Sequence, residues 1–193
     1  WRVSERAPRI PGADPGAVRL RDGGWLFVAT GPPRPGTPSA VQRGFRPLEP
    51  PPFKEGLTHV PAAAGGDLGI AVRVLLPPVP RYKDGAPVVI HVAGGVGPGA
   101  AGGRSEYAGL GAIEVFFAFP GGGRGDARSG GEYDFRGPRS IRALADVIRF
   151  ATGRIEDARG RSIRALAGGM DVLVRNCGII GSSHGGNACG MAI

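Results

Sequence analysis

Gly181-Ser182-Ser183-His184-Gly185 sets one hydroxyl midway between two glycines. The spacing is G-x-S-x-G, the pattern of a serine raised on a tight turn from strand to helix. The requirement is steric: backbone passes close to the residues two before and two after the serine, so only small ones fit. Such a bend lifts the hydroxyl above the sheet edge, and the helix that follows turns the positive end of its dipole toward it. The chemistry is acyl transfer at Ser183. A serine oxygen attacks a carbonyl, and the carbonyl oxygen becomes an anion that needs donors. The backbone N–H of His184, the residue after the serine, is one such donor.

A second donor needs backbone from elsewhere. Residues 91–103, HVAGGVGPGAAGG, form a glycine-rich loop directly after a β-branched run, APVVIHVAGG at 86–95. A loop of this kind can turn amide N–H groups toward a developing oxyanion.

The elements that must hold these pieces are legible from 68 onward. LGIAVRVLLP (68–77) alternates Ile70, Val72 and Val74 with Ala71, Arg73 and Leu75, which predicts a half-buried strand. The run at 86–95 and AIEVFFAFPGG (112–122) predict buried strands, with a short helix in RSEYAGLGA between them. In GPRSIRALADVIRFATG (137–153), Ile141, Leu144, Ala145 and Ile148 fall on one helical stripe, with Pro138 at the start and Gly153 at the stop. RSIRALA recurs at 161–167 and predicts a second short helix; VLVRNCGIIG (172–181) is the strand that feeds the serine. Strands alternating with helices point to an α/β fold with a mostly parallel sheet flanked by helices.

Residues 1–62 read differently. GPPRPGTPSA and PLEPPPF lose a backbone donor at each proline, so they form neither helix nor central strand. WLFVAT (25–30) reads as one strand. The organisation expected is a Pro/Gly-rich N-terminal extension over 1–62 and an α/β domain over 63–193.

From Ser183's surroundings a resemblance follows. VVIHVAGG, FFAFPGGGRGDARSGGEYDF, IRALADVIRFA and CGIIGSSHGGN together resemble the front half of an α/β-hydrolase. They are most similar to the branch with X-prolyl dipeptidyl peptidases, cocaine-esterase-like enzymes and prolyl-oligopeptidase-like acyl hydrolases. That branch carries an R-G-x-G-x-S-x-G stretch, matched by Arg124 to Gly131 around Ser129 with Ala127 in place of the second glycine. It also carries an Asp-bearing helix, matched by Asp146. The resemblance covers about residues 68–193. It implies Ser183 as nucleophile, with the N–H groups of His184 and of Gly94 or Gly95 in the oxyanion hole. It also implies an acid and a base histidine later in the chain than the elbow.

The histidines in hand are His59, His91 and His184. His91 reads as structural, His59 as exposed, and His184 diverges from its neighbour Ser183 at a tight turn. None suits a general base. The expectation is that these residues are the N-terminal part of a serine hydrolase acting on ester or amide acyl substrates, small-molecule or peptide. The rest would come from a missing C-terminal part or a completing chain, and 1–193 alone would be inactive.

Composition narrows the rest. The net charge is +8, but the 24 basic residues, all Arg except Lys54 and Lys83, are scattered without a basic run, so no nucleic-acid partner is expected. Cys177 and Cys189 make no disulfide framework and no zinc spacing, and no metal or cofactor is expected. No stretch approaches the ~20 apolar residues of a membrane span. Two alternatives stand beside the hydrolase. Gly97, Gly99 and Gly102 match the G-x-G-x-x-G of a dinucleotide-binding oxidoreductase, though Pro98 sits in the turn. A non-catalytic hydrolase-like binding module is the other.

Overall fold

Short connections on either side of one strand force it to run against the rest of the sheet. The computed structural model describes residues 53–193 and, ahead of them, strands β1 (Ala17–Arg19) and β2 (Trp25–Phe27), which pair antiparallel with Val18 opposite Leu26. The chain divides into two units, Trp1–Pro47 and Leu48–Ile193. The remainder of the WLFVAT run lies outside the described residues.

The second unit holds one five-stranded sheet of β3 (Lys54–Val60), β4 (Ile70–Leu76), β5 (Ala86–Val92), β6 (Ile113–Phe117) and β7 (Val172–Gly181), in the order β3-β4-β6-β5-β7. β4 runs antiparallel to both β3 and β6, while β5 runs parallel to β6 and to β7. The sheet is therefore mixed, which corrects the expectation of a mostly parallel one. Residues 61–69 and 77–85 are the reason. Each segment is shorter than the dozen or more residues a parallel crossover needs, so the chain turns back on entering β4 and again on leaving it.

β3 lies inside the stretch that the sequence assigned to the extension. Only Thr58 and Val60 of this strand are buried outright, so its apolar signal is thin, and the prolines at 50–52 precede it directly. His59 sits on β3 half-buried, its Nε2 2.9 Å from the Arg128 carbonyl oxygen.

Helix α1 (Pro138–Ala151) packs across one face of the sheet. Its core side is Ala143, Leu144, Val147, Phe150 and Ala151, packed with Ile70, Val72, Ile90, Val115 and Phe117 of the sheet. The stripe read from sequence is rotated: Ile141 and Ile148 are only partly buried. The two isoleucines flank the true seam, and small Ala143 lets the helix approach closely there. Asp134 anchors the N-terminus, its carboxylate accepting from the amides of Arg139 (2.7 Å) and Ser140 (3.1 Å). The other face of β4 is covered too, Ala71 by Ala101 and Ala118, and Leu75 by Ala108 and Phe116. This strand, expected half-buried, is enclosed on both sides because small alanines of the segments around it and the Phe116 ring close its second face.

Two short helices follow. α2 (Ile163–Leu166) is capped by Ser162, whose Oγ accepts from the Ala165 amide at 3.2 Å. α3 (His184–Ala192) leaves the end of β7. No helix among the described residues is long and apolar enough to cross a membrane.

Candidate active site

β7 ends at Gly181 and α3 begins at His184, so the strand-to-helix turn consists of Ser182 and Ser183. Ser183 has φ 50° and ψ −124°, one of three non-glycine residues with positive φ among those described. Holding an L-residue there costs about 1–3 kcal/mol and persists only where the surroundings over-determine it. The turn is closed by bonds from the Gly185 amide to Ser182 O (2.8 Å) and from the Gly186 amide to Ser183 O (2.9 Å).

The flanking glycines explain themselves. A Cβ on Gly181 would come within 2.5 Å of the Gly185 carbonyl carbon and oxygen. A Cβ on Gly185 would meet the carbonyl oxygens of Val92 and Ala93, the latter at 2.8 Å. The two glycines of the motif thus face each other, and the second also faces the end of β5. Ser182, Ser183 and His184 are exposed beside this packed backbone.

The loop after β5 meets the turn. Ser182 N–H donates to Val92 O at 3.3 Å, and a Cβ on Gly94 would lie 2.7 Å from Ser182 O. Gly95 has φ 79° with open space around it. Among the described residues, neither the Gly94 nor the Gly95 amide donates to a backbone carbonyl. The His184 amide, first in α3, has no intrahelical partner by helix geometry. Three amides without a backbone acceptor therefore belong to the turn and to the loop packed against it. Ala93 and Ser182 also line a cleft of about 280 Å³ with His91, Arg104, Phe116 and Ile180. A larger cleft of about 710 Å³ lies between residues 63–66 and the exposed face of α1, and no residue of the turn lines it.

Arg136 is a residue that sequence reasoning missed. It has φ 66°, directly after Phe135 at φ 54°. Its Nη2 donates to Gly94 O at 3.2 Å and lies 3.5 Å from Gly97 O, while its guanidinium carbon sits 4.2 Å from the centre of the Phe119 ring. Its Nε and Nη1 are buried and have no hydrogen-bond partner. Burial raises the pKa of Cys189 on α3, and the charge of Arg136 opposes that rise. Nothing in the run YDFRGP marks this arginine, because its partners lie about forty residues upstream.

None of the three histidines reaches the serine as a base. His91 donates from Nε2 to Glu114 Oε1 at 2.8 Å and stacks on Phe116 at 4.3 Å between ring centres. Glu114 is fully buried on β6 and also accepts from Ser105 Oγ (2.5 Å) and from the amides of Glu106 (3.0 Å) and Ala108 (2.8 Å). Burial pushes this carboxyl up, but the four donors outweigh it and hold its pKa at about 2. The carboxylate stands between the serine and the histidine of this cluster, so no histidine is left to take a proton from Ser105. The group is an anchor for the segment 104–111. His59 is engaged with Arg128, and His184 is exposed on α3.

Ser129 and Asp146 are structural as well. Ser129 Oγ donates to Ala118 O (2.7 Å) and accepts from the Ala71 amide (2.9 Å), joining the glycine-rich segment 121–131 to the sheet. Asp146 pairs with Arg149 on α1 at 3.3 Å. The G-x-G-x-x-G match falls at Gly97 to Gly102, where the backbone forms no helix. A dinucleotide site needs a helix N-terminus at that point for its pyrophosphate.

No protein-family model and no curated protein matches the chain. Solved structures similar to it include a thermostable esterase from Pseudomonas putida, at 15% identity and TM-score 0.41 over 72% of this chain and 36% of that one. A hyperthermophilic esterase from the archaeon Pyrobaculum calidifontis is similar at 16% identity and TM-score 0.41, over 71% and 36%. A Pyrococcus furiosus esterase is similar at 16% identity and TM-score 0.37, over 71% and 42%. The chain thus spans little more than a third of the first two.

Proposed function

We propose that this chain carries the nucleophile and the oxyanion donors of a serine hydrolase acting on ester or amide acyl substrates, small-molecule or peptide. The observation that carries the reading is Ser183 at φ 50° on the junction of β7 and α3, with Gly181 and Gly185 packed on each other beneath it. Strain of this kind in an exposed serine has no packing purpose; it raises a hydroxyl. In the reaction Ser183 Oγ attacks the acyl carbonyl. The amide of His184 and that of Gly94 or Gly95 donate to the oxygen as it becomes an anion, each worth about 3 kcal/mol in the transition state. The N-terminal end of α3 adds a positive potential at the same point.

His59 and His91 are hydrogen-bonded elsewhere and His184 is exposed directly beside Ser183 on the turn, so in this reading the general base and its acid partner come from outside these residues. β7 pairs only with β5 among the described residues, and Ile180 is 40% exposed on it. That free edge supports a further strand from a C-terminal part or a completing chain.

The test is covalent labelling. A fluorophosphonate probe should label the complete protein and fail to label Ser183→Ala. The 193 residues alone should turn over an activated ester negligibly, since loss of triad partners costs roughly 10⁴–10⁶ in turnover. Labelling that survives Ser183→Ala sinks the reading.

A further inference from the structure

The loop after β5 has a polarity that needs a cause. Several of its carbonyls are engaged: Gly94 O by Arg136, Pro98 O by the Phe119 amide at 2.8 Å, Gly99 O by the Gly123 amide at 3.0 Å. Its Gly94 and Gly95 amides are given to no backbone acceptor. In a planar trans peptide the N–H points opposite to the C=O. Engaging Gly94 O therefore turns the Gly95 N–H away from Arg136.

Glycines at 94 and 95 leave this peptide free to flip, because neither side of the bond has a Cβ to forbid the alternative. Flipped, it would present a carbonyl oxygen where the amide had been, and an oxyanion would meet a negative dipole. Pro98 and Gly99 are pinned by backbone, but Gly94 O is held by a single side chain from a loop forty residues on. That side chain is buried at Nε and Nη1, rests on Phe119, and is delivered by two consecutive left-handed residues. Asp134 secures the same loop through its bonds to the amides and hydroxyl at the start of α1.

The geometry points to Arg136 as a positioning residue that fixes the orientation of the Gly94–Gly95 peptide and so keeps an amide, not a carbonyl, available to the oxyanion. This rests on the serine-hydrolase reading above. In this role Arg136 acts through the loop, by its bond to Gly94 O.

The experiment uses the complete protein and p-nitrophenyl acetate. Arg136→Gly removes the guanidinium while keeping a backbone that suits φ 66°, so the fold is spared the strain. Its kcat should fall about a hundredfold, the scale of losing one oxyanion donor, with KM moving less than about threefold. Added methylguanidinium should restore at least a tenfold part of the loss, and Arg136→Lys should lie between the two. An unchanged kcat in Arg136→Gly overturns the role. So does a loss that follows the folded fraction by circular dichroism and that neither methylguanidinium nor lysine relieves. Turnover that persists in Ser183→Ala, or a parent protein that neither turns over the ester nor takes a fluorophosphonate, overturns the serine reading itself and this role with it.

Discussion

The turn at Ser183 and the cluster at Glu114 both adjoin the C-terminal end of β5, and they are built on opposite principles. The turn uses almost no side chain. Gly181, Gly185 and Gly94 bring backbone against backbone, and the outcome is one exposed serine in a conformation that costs stability. The Glu114 cluster spends a buried charge and returns four hydrogen bonds to it, so that a long connection is tied down. A third site at the far edge of the sheet follows the second pattern. Asp157 is buried and accepts from Thr58 Oγ1 at 2.7 Å, from Arg161 Nη2 at 2.8 Å and from the amides of Arg159 and Arg161. Burial raises the pKa of Asp157, and those bonds lower it further than burial lifts it. The lesson is that chemically suggestive residues, a histidine against a glutamate beside a serine, are the scaffold here. The bland ones, glycines around an exposed hydroxyl, make the site proposed above.

The contrast can be broken in order of effect. Gly185→Ala sets a methyl against the Val92 and Ala93 carbonyls, so the turn must open. Turnover by the complete protein should fall at least a thousandfold, and urea unfolding should show a loss of about 3 kcal/mol. A variant with normal kcat would mean that the close approach of turn and loop is not needed.

The next largest effect is on stability alone. Glu114 has a folded pKa of about 2 against an ordinary 4.5. A depressed carboxylate contributes its full share above pH 4.5 and loses it as pH falls from 4.5 toward 2. Wild-type protein should therefore weaken across that window, by about 3 kcal/mol from this group. Glu114→Gln should show a matching loss at pH 7 and a flatter urea midpoint against pH below 4.5. Equal acid slopes in the two proteins would place the sensitivity elsewhere.

Thr58→Val removes one donor to Asp157 and keeps the shape, for a smaller cost of about 1–2 kcal/mol. Differential unfolding against wild type measures it, and a neutral result would mean that Arg161 and the Arg159 amide hold that carboxylate without the hydroxyl. The smallest change has the opposite sign. Ser183→Gly relieves the backbone at φ 50° and should stabilise the protein by about 1 kcal/mol while abolishing turnover. If it destabilises instead, the turn is not strained and the contrast with Glu114 collapses.

Much of this was legible in the chain. The strand-to-helix turn at Ser183, the strand before it, and α1 with Pro138 and Gly153 at its ends depend on residues within a few positions of one another. Other features were not. The direction of β4 depends on which strands it pairs with, so a run that alternates well says nothing of parallel or antiparallel. The apolar pattern of α1 points one residue off its true seam because Ile141 and Ile148 outweigh Ala143 in hydrophobicity, while closeness to the sheet favours the alanine. His59 looks exposed in the sequence because its strand follows three prolines and buries little, yet it is half-buried on β3.

What the sequence determined by itself is local and steric: glycines at 181 and 185 allow a bend that no larger residue allows, and periodic apolar residues name strands and a helix. What only the tertiary structure decided is which distant groups meet. Arg136 reaches the Gly94 carbonyl, and Glu114 gathers His91 and Ser105, across separations over which no spacing rule holds. Such contacts form because the sheet order brings the ends of its strands together, and that order comes from the packing of the whole unit.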